Sequence, residues 1–411
     1  MRMSRGLSIG VMGLAVVCLE SSALRAQATV PNPASTAPAA SPSDSLEARY
    51  APLLHALKSP SATGVLITEL QPFSSAAAAG LRIGDIVTFY NGHRVETETG
   101  LQEAVADAAA ESVRKSTAEA VAAGGPLVAR VVVQVRRGVD RGEIVSVEVA
   151  TGGMGITLRE VAAGVAVRSN PPATEREKLV LEWAKVPAAS DDGAREEWFR
   201  LYDGFECTGF ERRSLRHQGE RWTVATTTWM VADGKVVEEQ QSAVECTAGD
   251  NQTSPPVQID TLRWHGYGQT VQAQRKGLVV RGTITSGAEK SPRIDAIERE
   301  TTLGALPGWA LEAVAAALPH KEDLVLPVAL VSELDLRTRP GYALVTGGKQ
   351  SVTVRSQEFR LWCVQVLHWG LPEMKLWFDD ERRLVLAEYG NGQRAERVAS
   401  EQAARLGITE K

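Results

Sequence analysis

Residues 76–95 read AAAAGLRIGDIVTFYNGHRV, and this stretch decides how we interpret the amino-terminal half of the chain. Gly84-Asp85 is a turn signal. The residues that follow it, 86–90 (IVTFY), have the β-branched and aromatic composition of a buried strand. Asn91-Gly92 suits a tight hairpin turn because both residues tolerate positive φ angles. The segment therefore predicts a turn, a buried strand and a hairpin in close succession.

This segment resembles the signature of PDZ domains. The signature consists of small residues, the motif A-G-L-x-x-G-D, an apolar strand, N-G and a closing valine, which is Val95 here. The segment is similar to the permuted form found in bacterial periplasmic proteases. The alternative is an unrelated β-hairpin with the same turn residues. For residues 45–168, the resemblance implies a PDZ-like β-sandwich or partial barrel with helices. It also implies a partner, the C-terminus of a peptide or protein, bound by addition of a strand to the sheet.

Secondary-structure signals on both sides of this segment fit that fold. Residues 64–70 (GVLITEL) form an apolar strand pattern, and a capping Thr97 or Thr99 precedes a long amphipathic helix. A Gly-Gly-Pro run ends the helix, which is about twice as long as a PDZ helix, so we interpret its second half as an insertion. Residues 127–135 and 143–149 then predict a β-hairpin.

The run GGMGITL at residues 152–158 resembles the carboxylate-binding loop of PDZ domains. It follows the last expected strand, as a circular permutation allows. Glycines let successive backbone N–H groups turn inward together and hold a carboxylate. A bound peptide would pair with the strand after the loop and place apolar side chains against the long helix. The resemblance assigns peptide binding to Gly153, Met154, Gly155, Ile156, Thr157, Leu158, Val105, Ala108 and Ala109.

Two alternatives stay open for this site. The glycine run can be a plain turn that leads from the hairpin into the next linker. The small alanines on the long helix can also leave a groove that is closed or shallow.

The amino-terminal residues 1–28 have the features of a cleaved secretory signal peptide. Two arginines precede an apolar stretch at residues 6–19, and residues 26–28 (AQA) fit a small-x-small cleavage site. The apolar stretch is too short to span a bilayer comfortably, and no later stretch is long enough. We therefore expect a periplasmic or secreted protein without a membrane span. Because Val17 is larger than lipoprotein signals normally allow, we expect no lipid on Cys18.

Residues 29–44 are rich in Pro, Ala, Ser and Thr and predict a disordered linker. A helix follows, begun by Asp44 or Ser45. Its apolar stripe consists of Leu46, Tyr50, Leu53, Leu54 and Leu57. This stripe needs a partner, either the PDZ fold itself or the groove, which the helix would then cover. A proline pair indicates a second linker at residues 169–194.

Residues 195–395 predict a second, β-rich domain. Turn signals recur between runs rich in Val, Thr, Trp, Tyr and Phe, as in a long antiparallel meander. One helix interrupts the meander at residues 308–318, and we interpret residues 396–411 as a C-terminal tail. In pattern alone, this half resembles exported bacterial β-meander domains, some of a half-barrel class that carries lipoproteins or lipids. The likeness implies a curved sheet around a packed helix, with either an apolar ligand or a filled core.

Composition and motifs disfavour several functions. The formal net charge is −5, from 45 basic and 50 acidic residues, and no basic run carries interleaved aromatics, so we expect no nucleic-acid partner. The motifs H-E-x-x-H and C-x-x-C do not occur in the sequence, and the one G-x-S-x-G match, GLSIG at residues 6–10, lies within the predicted signal peptide. The six histidines are scattered and form no metal-ligand pattern. We therefore expect no metal, no cofactor and no catalytic residues.

The cysteines provide a test of the predicted strand order. Cys207 and Cys246 share the context Glu-Cys-Thr and invite pairing. In the predicted meander they face opposite ends of one intervening strand, about 30 Å apart along it. A disulfide needs Cα atoms within about 7 Å, so we predict no bond between these two cysteines. The pattern sets no register for Cys363.

These observations predict an exported α+β protein that binds peptide or protein C-termini in the bacterial cell envelope and is not an enzyme. The main alternative is a carrier or sensor that binds an apolar ligand or lipoprotein through the C-terminal sheet, with a structural PDZ domain. A third hypothesis is an enzyme whose site assembles from distant residues. An open groove, a large apolar cavity and a cleft of converging titratable groups distinguish the three.

Overall fold

The structure is a computed structural model, and it describes residues 46–71, 74–123, 130–138, 142–151, 154–167, 169–187, 195–248, 257–287, 292–302, 304–390 and 392–408. Within these ranges the side chains of Glu47 and of residues 113–123 are not described. The predicted signal peptide, the predicted linker at residues 29–44 and Gly153 lie outside them. The chain forms two compact units, which meet in sequence between Arg168 and Ser169.

The first unit is an antiparallel sheet with helices. Its elements are α1 (Leu46–Lys58), β1 (Gly64–Leu70), α2 (Ser75–Ala78), β2 (Ile86–Tyr90), β3 (His93–Arg94), α3 (Glu98–Ala123), β4 (Arg130–Arg137), β5 (Glu143–Ala150) and β6 (Ile156–Val161). The strands lie in the order β5-β4-β2-β1-β6, and β3 pairs with β2. This is the PDZ-like part of the predicted α+β fold, and the fold class is confirmed.

Helix α1 packs on the sheet of this unit, against β1. Three residues of its predicted apolar stripe, Tyr50, Leu53 and Leu57, are buried, whereas Leu54 is 40% exposed. The helix approaches so closely that a Cβ added at Gly84 would lie 2.8 Å from the backbone nitrogen of Leu53. The apolar stripe of α1 therefore packs into the core of the first unit.

The second unit is one long, curved sheet of 15 strands. Its strands are β7 (Arg195–Asp203), β8 (Glu206–Gln218), β9 (Arg221–Ala232), β10 (Lys235–Ala248), β11 (Val257–Gly266), β12 (Gln269–Lys276), β13 (Val279–Ser286), β14 (Arg293–Glu300), β15 (Ala305–Pro307), β16 (Val325–Val331), β17 (Thr338–Val354), β18 (Gln357–His368), β19 (Leu371–Phe378), β20 (Leu384–Tyr389) and β21 (Gln393–Val398).

Two meanders make up this sheet. One runs outward from β7 to β14, and the other runs from β15 inward to β21, which pairs with β7. Only the short β15 is paired in parallel, with β16, among the described strand pairs. β15 also contacts β11, so the sheet curls back on itself, while β14 and β15 remain its two unjoined ends within the described strands. The predicted curved meander is thus confirmed.

The concave side of the sheet is filled. The predicted helix is present as a 3-10 turn (Gly308–Ala310) followed by α4 (Leu311–Ala317), whose apolar side chains are buried in the main core. Val244, Leu262 and Leu376 from the surrounding strands belong to the same core. Among the described residues, packed side chains fill most of the space inside the curved sheet.

The segment predicted as the linker 169–194 packs on the second unit where it is described. Leu179, Leu181 and Val186 are buried in the core around α4, because their burial removes apolar surface from water. Thr174 binds strand β16: its N–H donates to the Val325 carbonyl oxygen and its hydroxyl accepts from the Val325 N–H. The paired prolines therefore begin an ordered segment, and the linker prediction is wrong for residues 169–187.

The segment predicted as a tail, 396–411, also begins inside the fold. Strand β21 continues to Val398, which lies opposite Trp198 of β7. Helix α5 (Glu401–Ala404) follows, capped by the Ser400 hydroxyl, which accepts from the Ala403 N–H. Ala404 is fully buried against Phe210. The tail prediction is therefore wrong for residues 396–404, because these residues complete the sheet and cover its outer face.

The strand order behind the cysteine prediction is confirmed. β8, β9 and β10 are consecutive neighbours, with Cys246 opposite Trp222 at the start of β9 and Gly209 opposite Met230 near its end. Cys207, Cys246 and Cys363 are free. Cys246 is buried as predicted, whereas Cys207 is only half-buried. Among the described helices, none has the length and apolar character needed to cross a bilayer.

Candidate peptide-binding site

The A-G-L-x-x-G-D motif forms the turn that leads into β2. Gly84 has a φ of +92°, a conformation that glycine adopts without strain. Asp85 is 1% exposed and accepts hydrogen bonds from Arg137 Nε (2.8 Å) and Nη2 (2.6 Å). It also accepts from the Arg82 N–H (2.9 Å). These bonds raise the pKa of Arg137 and tie the motif to the end of β4.

Strand β6 lies at the edge of the first sheet, next to β1. The pairing is antiparallel, from Gly64 opposite Val161 to Leu70 opposite Ile156. On its other side β6 has no strand partner among the described residues. Helix α3 contacts the same strand. A free strand edge beside a helix is the geometry by which an extended peptide adds to a sheet.

The described part of the proposed carboxylate loop is Met154-Gly155. Gly155 has a φ of +64°, and a Cβ at this position would lie 2.6 Å from the Ser74 Cβ. Its carbonyl oxygen accepts from the Gln71 N–H (2.8 Å). The turn before β6 is therefore anchored to the segment between β1 and α2, and it needs glycine both for φ and for space.

The structure brings the predicted apolar site residues together. The members of the peptide site that share one core cluster, each at most 8% exposed, are Met154, Ile156, Leu158, Val105 and Ala108. Thr157 and Ala109 are partly exposed, and the Thr157 carbonyl oxygen accepts from the Thr68 hydroxyl (3.2 Å). Because the apolar members bury one another, little of their surface is exposed, and we expect the groove between β6 and α3 to be shallow.

Sequence reasoning missed the polar residues of β6. The Glu160 carboxylate accepts from the Glu98 N–H (2.9 Å) and so satisfies a free donor at the start of α3. Burial and the nearby Glu160 charge raise the pKa of Glu98. Arg159 is 6% exposed, and burial lowers its pKa. No local signal predicts this cap, because the two glutamates are far apart in sequence.

Helix α3 begins as predicted. The Thr97 hydroxyl accepts from the Gly100 N–H (3.0 Å), as an N-cap residue does. Within the described residues, no group of three or more His, Cys, Asp or Glu side chains is placed to hold a metal ion.

A family model described as PDZ domain matches residues 66–115. The matched range includes the A-G-L-x-x-G-D motif and ends within α3, so β6 and its glycine turn lie outside it. The first unit thus contains a PDZ domain, which suggests a role in protein–protein interaction. No match was found among curated proteins.

Two solved structures resemble the C-terminal half. A beta-barrel-like protein of domain of unknown function DUF1849 from Brucella abortus is 12% identical, at a TM-score of 0.30, and covers 50% of this chain and 95% of its own. A DUF1329 family protein from Desulfovibrio piger is 12% identical, at a TM-score of 0.14, and covers 52% of this chain and 90% of its own. At these TM-scores the likenesses carry no argument about function.

Proposed function

We propose that this protein is an exported, non-catalytic binding protein of the bacterial cell envelope that recognises peptide or protein C-termini. The observation that carries the proposal is the outer edge of β6, which has no strand partner among the described residues, follows the Met154-Gly155 turn and lies beside α3. A peptide strand added to this edge gains main-chain hydrogen bonds. Its terminal carboxylate would reach the backbone N–H groups of the glycine turn.

The shallow groove limits which peptides bind. Leu158, Val105 and Ala108 leave little space between β6 and α3, so side-chain contacts contribute less than main-chain pairing. We expect weak binding of peptides that end in a small apolar residue. Larger apolar residues would require α3 to move outward.

The test compares peptides that differ only at the C-terminus. The full chain is titrated with a peptide ending in valine as the free acid, and with the same peptide amidated. The free acid should bind more tightly, because amidation removes the negative charge that the loop N–H groups would hold. Equal affinity for the two peptides would refute the carboxylate-loop assignment.

A pair of helix variants tests the place of binding. Ala109→Glu adds a carboxylate on the partly exposed side of α3 beside the predicted groove. Ala106→Glu adds the same group at an exposed position of the same helix. We expect Ala109→Glu to weaken free-acid peptide binding and Ala106→Glu to leave it unchanged. Identical behaviour of the two variants would place the peptide elsewhere.

Export and the lack of catalysis rest on the sequence. The basic, apolar and small-residue regions of residues 1–28 support a cleaved signal peptide. Mass spectrometry of the protein recovered from the cell envelope should find a chain that begins at Thr29. The missing catalytic motifs support a binding role, without metal or cofactor.

The alternative of an apolar-ligand carrier gains no specific support from the second unit. Its concave side holds α4 and a main core of buried side chains. The cavity on that side is small, and most of the residues that line it are of polar or charged type. We therefore retain peptide recognition as the proposed function.

A further inference from the structure

A small cavity whose lining includes charged and polar residues lies inside the curved sheet of the second unit, at the start of the α4 region. Its volume is about 30 Å³, which is enough to hold a water molecule or a single hydroxyl group. We call it the inner cavity, and the residues that line it include Glu211, Arg213, Trp309, Glu312 and Tyr389. Polar residues in the interior of a sheet are costly unless they are paired, so their presence here requires an explanation.

The charged groups of the inner cavity form one network. Arg213 donates through Nε to Glu211 and through Nη1 to Glu312. Glu211 is 1% exposed and also accepts from the Thr228 hydroxyl (3.1 Å). The Arg213 guanidinium also lies over the Phe199 ring, 4.2 Å from its centroid. These contacts fix the guanidinium between strand β8 and the helix.

Three donors at the inner cavity lack a partner that meets hydrogen-bond geometry in the described structure. They are Arg213 Nη2, the Trp309 indole N–H and the Tyr389 hydroxyl, and each of these atoms is buried. The Tyr389 hydroxyl also interacts with Arg213: burial raises the pKa of Tyr389, and the charge and hydrogen bonding of Arg213 lower it. A phenol oxygen that accepts from Arg213 still has its own O–H to donate. Buried donors are almost always satisfied in folded proteins, so the Tyr389 O–H and the Trp309 N–H beside one small space indicate an oxygen atom bound there.

The outer lining of the cavity is polar but uncharged. Thr228 lies opposite Gln240 and Thr226 opposite Ser242 on the neighbouring strands β9 and β10. Gln241 and Trp264 complete this side. Further along the same strands the inward positions are apolar, as at Val224 and Val244. The change from apolar to hydroxyl and amide side chains is confined to the region of the cavity.

We propose that this cavity is part of a binding site for a neutral saccharide, one of whose hydroxyl groups enters the inner cavity. A hydroxyl is close to water in size, accepts from two donors and donates one hydrogen bond. It can accept from Tyr389 and Trp309 and donate to the Glu312 carboxyl. The Thr, Ser and Gln side chains of the outer lining suit the next hydroxyls of the ring.

The charges of the site select a neutral ligand. Glu211 already balances Arg213, so an anionic ligand would face the Glu312 carboxylate without a free cation. A cationic ligand would face the unpaired donors, which are electropositive. The site lies in the second unit, and the proposal does not depend on peptide binding by the first.

The experiment measures binding of glucose, N-acetylglucosamine and maltose to the full chain by saturation-transfer NMR and calorimetry. Glucuronic acid and glucosamine serve as charged probes of the same ring size. At least one neutral sugar should bind, and more tightly than either charged probe. No binding by any neutral sugar, or tighter binding of glucuronic acid, overturns the proposal.

Two conservative variants locate the site. Tyr389→Phe removes one unpaired hydroxyl and should weaken sugar binding about fivefold to tenfold, which is the loss of one hydrogen bond. Tyr90→Phe is the matched control, because the Tyr90 hydroxyl is also buried without a partner but belongs to the first unit. Both variants should remain folded, since each removes a single hydroxyl and keeps the aromatic ring. If Tyr389→Phe binds sugar like Tyr90→Phe, the site assignment is wrong.

Discussion

The turn before β2 in the first unit is held mainly by one side chain, that of Asp85. Its carboxylate is buried and accepts hydrogen bonds from Nε and Nη2 of Arg137 and from the Arg82 backbone N–H. Asp85→Asn keeps the shape but leaves Arg137, which is 21% exposed, without its counter-charge. We expect a loss of about 2–4 kcal/mol in the free energy of unfolding of the first unit, measured by urea denaturation.

A surface ion pair of the same unit provides the control for Asp85. Arg94 and Glu96 lie 2.9 Å apart but are 69% and 53% exposed. Glu96→Gln should change the free energy of unfolding by less than about 1 kcal/mol, because solvent screens exposed pairs. Similar losses in Asp85→Asn and Glu96→Gln would show that burial of Asp85 does not set its contribution.

Glu312 should make the stability of the second unit depend on pH. Burial raises its pKa from 4.5 to about 7, although the Arg213 charge lowers it, and Glu211 and Glu197 raise it further. The folded state therefore holds a proton that the unfolded state releases between about pH 4.5 and 7. Its contribution to stability is greatest below about pH 4.5 and falls by up to about 3 kcal/mol as the pH rises to about 7.

The variant Glu312→Gln isolates this effect. It removes the charge but leaves Arg213 paired with Glu211, so no cation is stranded. Compared with the wild type, the variant should gain relative stability as the pH rises from about 4.5 to 7 in thermal unfolding scans. Glu298→Gln, at an exposed pair with Arg281, is the control and should keep the wild-type slope. Parallel pH profiles for wild type and Glu312→Gln would contradict the prediction.

At the scale of elements, α1 is tested by two adjacent leucines. Leu53 is 0% exposed and Leu54 is 40% exposed on the same helix. Leu53→Ala should cost about 2–5 kcal/mol in the free energy of unfolding, because it leaves a cavity against the sheet. Leu54→Ala carries the same change in helix propensity and should cost less than about 1 kcal/mol. Equal costs would mean that α1 does not pack on β1 as the structure shows.

The elements that could be predicted are those with local signals. Strands β1 and β2 begin and end where the sequence pattern places them, because an apolar run lies between turn residues in each. The N-cap at Thr97 and the helix at residues 308–318 were equally visible. In contrast, the burial of Leu179 and Leu181 could not be predicted, because their segment is rich in prolines and charged residues and their packing partners lie far away in sequence.

The peptide site has a local sequence signal, and the inner cavity has none. The residues from Met154 to Leu158 form one motif that a sequence pattern can match. Glu211 and Glu312 are brought together only by the curl of the sheet and the placement of α4 beside β8, and Tyr389 comes from the second meander. No local pattern carries that information, so the cavity could not be predicted.

At the scale of the whole molecule, the two units have separate cores. Within the described residues, the buried apolar side chains of the first unit end at Val161, and those of the second begin at Leu179. The meander pattern predicts which consecutive strands are neighbours. It does not predict that β21 pairs with β7, the last and the first strand of this unit in chain order, which joins the two meanders into one sheet.

The segment 169–187 should therefore be part of the second folding unit. Its Glu182 is an ion-pair partner of Arg382, which is 5% exposed and also donates to the Ala316 and Leu318 carbonyl oxygens (both 2.7 Å) at the end of α4. Trp183 packs against Trp222, with ring centroids 4.8 Å apart. Without this segment, a buried guanidinium loses its counter-ion and an aromatic core residue is exposed to water.

Two fragments test this last prediction. A fragment of residues 169–408 should fold and show a cooperative thermal transition in near-ultraviolet circular dichroism. A fragment of residues 195–408 should unfold at a clearly lower temperature or lack fixed tertiary structure. In the full chain, Glu182→Gln should destabilise the second unit by about 1–3 kcal/mol, whereas Glu177→Gln, an exposed glutamate of the same segment, should have no measurable effect. If both fragments melt at the same temperature, residues 169–187 contribute nothing to the second unit and act as a linker after all.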